Sequence, residues 1–594
     1  MKISYNWLKW YVPEMPDAEK TAQVFERHLC EVEGVEKVGD DTVLDLNILP
    51  NRAHDLLCHM GVGKELSGLL GLKYNDPTPM YKVPESHPTD LKIEIQNPAC
   101  RRYMGRIVRG VKVDPSPEWV VKHLESIGQR SINNIVDATN IVMFDCGNPT
   151  HAFDLKKLAG PHIVVASAKD GEQFETVGGE KIVASLKSSD MVISDGEKTL
   201  AIAGVKGGTN SGISDDTTDI VIEVATFDPT SVRKTARRLN LLSDSAKRFE
   251  NEISSELASY AMKELTGLLL ELFPEATFED VVDVYPTPAE KKTVEFSIAR
   301  VNSLLGAGIA PVEIEKILTN YGYNFKLAGD TVTLEVPPFR LDLSGVSDIT
   351  EEIGRVYGYE KITPQFPKIN FKPKTNEIYI RMQSAREKLL SDGYNEVMTY
   401  SFVKKGAVEV ARGPKGKEFL RANLSDGLKV SYEMNRLNAP LLGASEIKMF
   451  EIGSVFAKDS EAIHVAYADK KGVVEATLEE FTRDMPLETI HQEPYTKNQL
   501  FSPWSVYPFI TRDIAVWVPV GTNSEELVAL CREKGGELLA RDPYIFDQFT
   551  KDGKTSLAVR LVFQSTEKTL TDDEILPLLD GIYLSLKNQG WDVR

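Results

Sequence analysis

The chain has 594 residues and a net charge of −19; 42% of its residues are hydrophobic and 26% are charged. This length predicts about four to six domains, and the composition is typical of a soluble globular protein, since no run of the roughly 18 apolar residues that a membrane span needs occurs. The acidic charge excludes a protein that binds polyanions non-specifically, although an RNA can still dock on local clusters of cations.

Four proline-rich stretches interrupt the sequence and are expected to act as linkers: 75–88, 283–291, 363–374 and 492–508. They divide the chain into five predicted domains, with bounds 1–85, 90–285, 286–362, 370–491 and 502–594. The five cysteines are scattered and form no CxxC pair. We therefore expect reduced thiols in a cytoplasmic protein, with neither a disulfide framework nor a zinc site.

Two residues of the second predicted domain carry ionisable side chains in unusual surroundings. Glu223 interrupts the apolar run 220–224, which predicts a strand. The run alone favours an outward-facing strand residue over a functional carboxylate. His151 follows a predicted turn at 148–150, and a lone histidine is more often structural than catalytic.

The third predicted domain begins with two helices, 301–306 and 311–321, followed by a strand at 332–336. This order is typical of small winged-helix modules, although many other α+β domains share it.

Four carboxylates follow in the same domain. Asp348, Glu351 and Glu352 stand at i, i+3 and i+4, so they are predicted to share one helix face, and Asp342 lies in the loop before that helix. Several hard oxygen ligands at one point suit a magnesium ion. The spacing alone favours a simpler interpretation, in which Asp348 is the N-cap and Glu351 completes a capping box.

The fourth predicted domain lacks the signatures of a nucleotide site. The segment 376–491 contains no Walker loop, no HIGH or KMSKS sequence, and no glycine-rich motif that ends in arginine. We therefore expect no ATP binding by this chain.

The fifth predicted domain has the most regular pattern. Its predicted elements are a strand at 512–518, a helix at 524–534, two strands at 538–549 and 557–563 joined through an Asp-Gly turn, a helix at 572–587 and a short strand at 591–594. The order β-α-β-β-α-β is that of the ferredoxin-like fold. That fold serves many functions, so the order alone does not identify one.

Longer motifs, spread over almost the whole chain, resemble those of one protein family. The runs that carry this resemblance lie at 1–12, 44–72, 130–158, 200–214, 221–250, 339–362, 449–456, 507–518 and 561–575. They resemble, in family order, the beta subunits of bacterial phenylalanyl-tRNA synthetases. The resemblance implies an α+β multidomain protein with an editing domain, a winged-helix-like domain, an inactive class II synthetase-like catalytic domain and a ferredoxin-like anticodon-binding domain.

The resemblance also implies roles for particular residues. Glu223 matches the family's glutamate that recognises the tyrosine hydroxyl, and His151 matches a histidine of the same editing pocket, where it would bind the terminal adenosine or position a water. Ser243 and Ser245 stand where the family usually has threonine and alanine. The family positions that hold a magnesium ion at the interface with the alpha subunit match the four carboxylates Asp342, Asp348, Glu351 and Glu352. With this resemblance, magnesium binding is favoured over the capping box.

The implied function is the support of phenylalanine attachment to tRNA(Phe) by an alpha subunit that uses ATP. This chain would bind tRNA, hydrolyse mischarged tyrosyl-tRNA(Phe), and assemble as two alpha and two beta subunits away from any membrane. Two features depart from the family. The first domain usually carries an OB-fold insertion, but here its two halves are connected directly through residues 36–41. The catalytic-like domain is also short. The alternatives are a free-standing aminoacyl-tRNA deacylase and a structural, tRNA-binding subunit that has lost editing.

Overall fold

The computed structural model describes residues 1–177, 183–372, 374–442, 446–486 and 505–594. The chain divides into two compact units, Met1–Phe366 and Pro367–Arg594. Most of the predicted linker 492–508 lies outside the described residues, as do the end of the fourth predicted domain and the start of the fifth. Within the described ranges, no helix has both the length and the apolar character needed to cross a membrane.

The first unit begins with a three-stranded antiparallel sheet in the order Lys2–Ser4, Asp41–Leu46, Val32–Val38. Gly39 and Asp40 join the last two strands in a tight hairpin, and Gly39 has a φ of 62°, which favours glycine. The hairpin leaves no inserted domain between these strands. The helices of this region are Tyr5–Tyr11, Ala18–His28, Ala53–Leu56 and His59–Leu70.

Two larger sheets are described between residues 86 and 284. In the six-stranded sheet, Cys100–Arg109 pairs along its length with Asp219–Phe227, and Thr150–Asp154, Ser86–His87, Thr277–Glu279 and Val282–Val284 complete it. The five-stranded sheet has the order Lys206–Gly207, Thr199–Ile202, Met191–Ser194, His162–Ser167, Lys92–Ile95. Gln173–Glu175 and Val183–Ser185 form a separate antiparallel pair.

Five helices of the described chain cover these sheets: Glu118–Ser126, Asn134–Cys146, Pro229–Leu239, Asp244–Phe249 and Leu257–Leu272. Their apolar faces join one continuous core that runs from Ile3 to Phe278. The N-terminal sheet and the two larger sheets are therefore held together by a shared apolar interior.

The region 293–357 has its own core. Three antiparallel strands in the order Thr293–Ser297, Thr331–Glu335, Phe325–Ala328 pack with three helices, Ile298–Leu305, Pro311–Asn320 and Val346–Tyr357. The predicted helices and the strand at 332–336 are confirmed within one to three residues. The other two strands were not predicted.

The second unit contains a four-stranded sheet in the order Asn395–Glu396, Met449–Ala457, Ser460–Asp469, Gly472–Thr477. The first two of these strands are parallel, and the others are antiparallel. Phe402–Val403 and Phe419–Leu420 form a separate pair. The described helices are Glu377–Ser391, Ser425–Leu437, Ala439–Leu442 and Leu478–Phe481.

The C-terminal region has the predicted β-α-β-β-α-β order. Its sheet has the order Tyr544–Lys551, Lys554–Phe563, Ile510–Pro519, Asp592–Val593, and its helices are Ser524–Gly535 and Asp572–Asn588. The Asp-Gly turn is present, with positive φ at both Asp552 and Gly553. The second predicted strand, at 538–549, begins only at Tyr544, because a short 3-10 turn occupies Gly536–Leu538.

Candidate functional site

Glu223 is a buried carboxylate in an otherwise apolar strand. The strand Asp219–Phe227 is paired on both edges, with Cys100–Arg109 and with Thr150–Asp154. Only 7% of the surface of Glu223 is exposed to solvent. Removal from water disfavours the charged form, and burial raises the pKa of Glu223 to about 7. The simpler interpretation of Glu223 as an outward-facing strand residue is therefore wrong.

His151 lies directly opposite Glu223 on the neighbouring strand Thr150–Asp154. The residue was predicted to follow a turn, but it belongs to this strand, and its ring packs edge-on against Phe153 with 4.6 Å between the centroids. Burial lowers the pKa of His151 to about 4, so its imidazole is neutral near pH 7. A neutral imidazole offers one donor and one acceptor beside the Glu223 carboxylate.

Gly207 lies against the His151 ring. A Cβ atom at position 207 would come within 3.0 Å of His151 Cε1, which is closer than side chains normally pack. Glycine at this position therefore leaves room for the imidazole.

The hydroxyl of Tyr103 donates a hydrogen bond of 3.0 Å to Glu223 Oε2. Tyr103 is completely buried on the strand Cys100–Arg109, where Gly105 is the residue directly opposite Glu223. Tyr103 is therefore a diagonal neighbour of Glu223, within reach of a long side chain. The sequence analysis missed this residue, because the contact exists only once the two strands have paired.

Ser243 and Ser245 contact the turn that leads to Gly207. Ser243 caps the helix Asp244–Phe249 by accepting from the Ala246 backbone N–H at 3.0 Å, and its hydroxyl donates to the Val205 carbonyl at 2.8 Å. Ser245 donates to the Gly204 carbonyl at 3.4 Å. Both hydroxyls therefore hold the 204–205 turn in place.

Two of the four carboxylates predicted to bind magnesium are engaged by arginines. Asp342 receives two hydrogen bonds from Arg340, at 2.9 and 2.7 Å, and lies 3.0 Å from His54 Nε2. Glu352 receives two from Arg355, at 2.8 and 2.7 Å, and one from Arg340 at 2.8 Å. These guanidinium groups hold the pKa of both carboxyl groups below the usual range, although burial opposes them.

The other two carboxylates, Asp348 and Glu351, form no ion pair among the described residues. Asp348 accepts from the backbone N–H groups of Ser344 and Gly345, at 2.7 and 2.9 Å, so it caps the helix from its third position rather than as the predicted N-cap. Glu351 is exposed, whereas Glu352 is buried, because consecutive helical residues point about 100° apart. No three or more His, Cys, Asp or Glu side chains of the described chain are grouped so as to hold a metal ion. This arrangement does not fit the predicted magnesium site.

The C-terminal sheet presents aromatic and basic side chains on the face opposite its helices. Trp517 and Phe549 contact each other edge-on, with 5.3 Å between the ring centroids. The Arg560 guanidinium lies 4.6 Å from the ring centroid of Phe546, and its Nη2 is 2.6 Å from Asp513. Aromatic rings on which bases can stack, interleaved with cations, are typical of a surface that binds single-stranded nucleic acid.

Three segments match described protein families. Residues 99–274 match the B3/4 domain, residues 294–359 match the tRNA synthetase B5 domain, and residues 505–594 match the ferredoxin-fold anticodon binding domain. An N-terminal fragment of the phenylalanyl-tRNA synthetase beta-subunit from Pyrococcus horikoshii covers 60% of this chain and 99% of its own, at 14% identity. The TM-score of 0.37 is too low for that likeness to bear on the fold.

Whole-chain relatives complete the comparison. The phenylalanine–tRNA ligase beta subunit of Geobacter sulfurreducens is 31% identical over 92% of this chain and 80% of the relative. The corresponding subunit of Thermotoga maritima is 31% identical over 91% of this chain and 79% of the relative. With three family domains in order and this coverage, the chain belongs to the family of phenylalanine–tRNA ligase beta subunits.

Proposed function

We propose that this chain is the beta subunit of a phenylalanine–tRNA ligase and that its B3/4 region hydrolyses mischarged tyrosyl-tRNA(Phe). The observation that carries this proposal is the buried Glu223 carboxylate opposite the neutral imidazole of His151. An apolar pocket rejects an added hydroxyl poorly, whereas a pocket with a buried hydrogen-bonding partner discriminates strongly.

Glu223 recognises the tyrosine side chain. Tyr103 donates to Oε2, and no donor of the described residues bonds to Oε1. Oε1 is therefore available to the hydroxyl of a bound tyrosine. Phenylalanine has no such group, so its entry would leave a buried carboxylate oxygen without a partner, at a cost of about 1–3 kcal/mol or more. Phenylalanyl-tRNA(Phe) is therefore not hydrolysed.

His151 positions the hydrolytic water. Its neutral ring can accept a proton from a water at one nitrogen while the other nitrogen donates. The close packing of Gly207 and Phe153 fixes the orientation of the ring. Ser243 and Ser245 act indirectly, through the turn that carries Gly207.

The remaining regions support a partner's chemistry. The sequence of the fourth predicted domain carries no ATP-binding motif, so amino-acid activation belongs to an alpha subunit, with two of each chain in the assembly. The face with Trp517, Phe549 and Arg560 stacks and orients tRNA bases. The proposed function involves no magnesium ion held by this chain, since the four carboxylates are not grouped to bind one among the described residues.

The editing proposal is tested with Glu223→Ala in the assembled enzyme. We expect slower hydrolysis of tyrosyl-tRNA(Phe) and accumulation of mischarged product, with unchanged phenylalanine charging. Glu197→Ala, which removes an exposed carboxylate of the same region, is the control and should behave as the wild type. Equal discharge of tyrosyl-tRNA by the Glu223 variant and the wild type would refute the role of Glu223.

The alternatives are separated by two further measurements. Native mass measurement after co-expression with the alpha subunit gives two of each chain if the assembly is as proposed, whereas a free-standing deacylase stays alone. A wild-type chain that assembles correctly but does not hydrolyse tyrosyl-tRNA is a structural subunit without editing.

A further inference from the structure

The helix Pro229–Leu239 carries four basic residues and no acidic one. The wider segment 229–249 has six basic residues against one acidic residue, Asp244, whereas the whole chain has a net charge of −19. An acidic protein does not attract a polyanion over long distances, so any contact with one depends on local positive segments of this kind. The helix is therefore opposite in sign to the chain as a whole.

Three of the four basic side chains have no partner among the residues that the structure describes. Arg238 is engaged, since its guanidinium pairs with the Asp190 carboxylate. Arg233, Lys234 and Arg237 are exposed, and they form no ion pair or hydrogen bond within the described ranges. Their positive charges are thus available to a partner molecule.

The carboxylates at the two ends of the helix do not compensate these charges. Asp228, which caps the helix by accepting from the Ser231 backbone N–H at 2.9 Å, also pairs with Arg101 at 3.5 Å. Asp244, beyond the other end of the helix, pairs with Arg248 at 3.4 Å. Both carboxylates are matched by arginines outside the helix, so the exposed cations remain in excess.

The arginines of the strand Cys100–Arg109 are arranged differently. Arg101, Arg102 and Arg109 each pair with a carboxylate, at 2.5, 2.7 and 2.6 Å. Ion pairs within the chain therefore neutralise these arginines, and this second basic run does not provide unpaired cations for a partner. The contrast favours the helix Pro229–Leu239 over this strand as the place where a polyanion binds.

Charge repulsion within the helix also calls for a compensating partner. Arg233 and Arg237 stand at i and i+4, as do Lys234 and Arg238, and each pair of like charges destabilises a helix by about 0.2–0.5 kcal/mol. Cations in the last turn interact favourably with the helix dipole, which accounts for Arg237 and Arg238. The dipole does not account for Arg233 and Lys234, which lie in the middle of the helix. A bound polyanion would offset the repulsion at all of these positions.

The helix packs on the turn that leads to the candidate editing site. A Cβ atom at Gly204 would lie 3.0 Å from Cγ2 of Val232, a buried residue of the helix. This turn leads directly to Gly207, which lies against the His151 ring. The exposed cations therefore belong to an element that borders the site.

We propose that Arg233, Lys234 and Arg237 bind phosphates of the acceptor end of tRNA where it enters the candidate editing site. This inference rests on the proposed function, since hydrolysis of an aminoacyl ester near His151 and Glu223 brings the 3′ end of the RNA to this part of the chain. Charge-assisted hydrogen bonds from arginine and lysine to phosphate oxygens position an RNA without reading its sequence. Cβ atoms at i and i+4 are about 5–6 Å apart, so Arg233 and Arg237 can contact neighbouring phosphates.

The test measures binding of an RNA that carries no amino acid, so that the result does not depend on hydrolysis. The probe is a fluorescent hairpin made of the acceptor stem of tRNA(Phe) with its single-stranded 3′ end, and the protein is the purified full chain. Arg233→Gln/Arg237→Gln removes two charges and introduces a residue that favours helix. We expect the Kd of the hairpin to rise about tenfold or more at low salt. The slope of log Kd against log salt concentration should fall by about 1.5, because each phosphate contact contributes roughly 0.7–0.9.

Arg27→Gln/Lys37→Gln is the matched control. It removes two exposed cations of the N-terminal region that form no ion pair with described residues, so the Kd and the slope should stay unchanged. Lys234→Gln repeats the test with a single exposed change, for which the slope should fall by about 0.8. An unchanged Kd in all helix variants, or an equal rise in the control, would overturn the proposal, as would wild-type binding that salt does not weaken.

Hydrolysis by the assembled enzyme separates this inference from the proposed function. Arg233→Gln/Arg237→Gln should raise the KM for tyrosyl-tRNA(Phe) about tenfold and leave kcat unchanged, because a phosphate contact away from the reacting ester is made equally in the ground state and the transition state. A fall in kcat with an unchanged KM would show that the helix acts on the pocket itself and would contradict phosphate binding. A wild-type enzyme that does not hydrolyse tyrosyl-tRNA would refute the proposed function, and the hairpin measurement would still decide the RNA contact.

Discussion

Tyr103 and Glu223 are joined by a 3.0 Å hydrogen bond in which the phenol donates to Oε2, and both side chains are buried. The bond fixes one oxygen of the carboxylate and directs the other away from Tyr103. It also lowers the pKa of Glu223, against the larger upward effect of burial. Tyr103 therefore acts as a positioning residue for the carboxylate proposed to recognise tyrosine.

We predict that Tyr103→Phe slows hydrolysis of tyrosyl-tRNA about tenfold or more, because Glu223 loses a charge-assisted hydrogen bond. The pKa of Glu223 should rise further above about 7, so the pH midpoint of hydrolysis should move upward. The measurement is a pH profile of deacylation. Tyr5→Phe, which removes a hydroxyl bonded to the Pro16 carbonyl, is the control. A slower variant with an unmoved midpoint would mean that Tyr103 acts only on the fold.

Glu223→Gln should stabilise the protein at alkaline pH. The pKa of Glu223 is raised from 4.5 to about 7, so the folded state prefers the protonated form, and stability from this group is present below pH 4.5 and lost as pH rises through 7. The shift corresponds to about 3 kcal/mol. Glutamine avoids this loss, so its advantage in Tm should be full at pH 8 and absent near pH 4.5. An advantage that does not depend on pH would contradict the assignment.

Glu352→Gln should destabilise the first unit by about 3 kcal/mol, because it removes one partner of buried ion pairs with Arg340 and Arg355. The neighbouring Glu351→Gln is the matched control. Glu351 is exposed and forms no ion pair among the described residues, so its variant should unfold like the wild type. Thermal or urea unfolding measures both.

The same arginine network should make the thermal stability of the region 293–357 independent of divalent ions. Since Asp342 and Glu352 are neutralised by guanidinium groups, adding a chelator should leave the Tm of the purified chain unchanged. A clear fall in Tm on chelation, reversed by magnesium, would show that the carboxylates rearrange around an ion.

Trp517→Ala should weaken binding of tRNA to the assembled enzyme about tenfold, since stacking of a base on an aromatic ring is worth about 1–3 kcal/mol. Tyr583→Ala is the control, because Tyr583 is a comparably accessible aromatic residue on the helix Asp572–Asn588, behind the sheet. Activation of phenylalanine should be unchanged in both. Equal tRNA affinities of the two variants would exclude the sheet face as the contact.

Local patterns in the sequence predicted the C-terminal fold well. Alternation of apolar residues and the Asp-Gly turn depend on neighbours only a few positions apart, and the helix Asp572–Asn588 begins at the predicted residue and ends one residue later than predicted. The strands Thr293–Ser297 and Phe325–Ala328 were missed, since each is short and becomes recognisable only through pairing with Thr331–Glu335. The family resemblance, which depends on the order of residues alone, was likewise available without coordinates.

The surroundings of the candidate site residues could not be predicted from the sequence. Glu223 is buried because two strands distant in sequence border its own, and Tyr103, 120 positions away, supplies its hydrogen bond. Glu352 is engaged by arginines rather than left open to a metal ion. The order of amino acids specifies which groups are available and which elements form. Their charge state and partners depend on burial and on distances between remote segments, and only folding sets these.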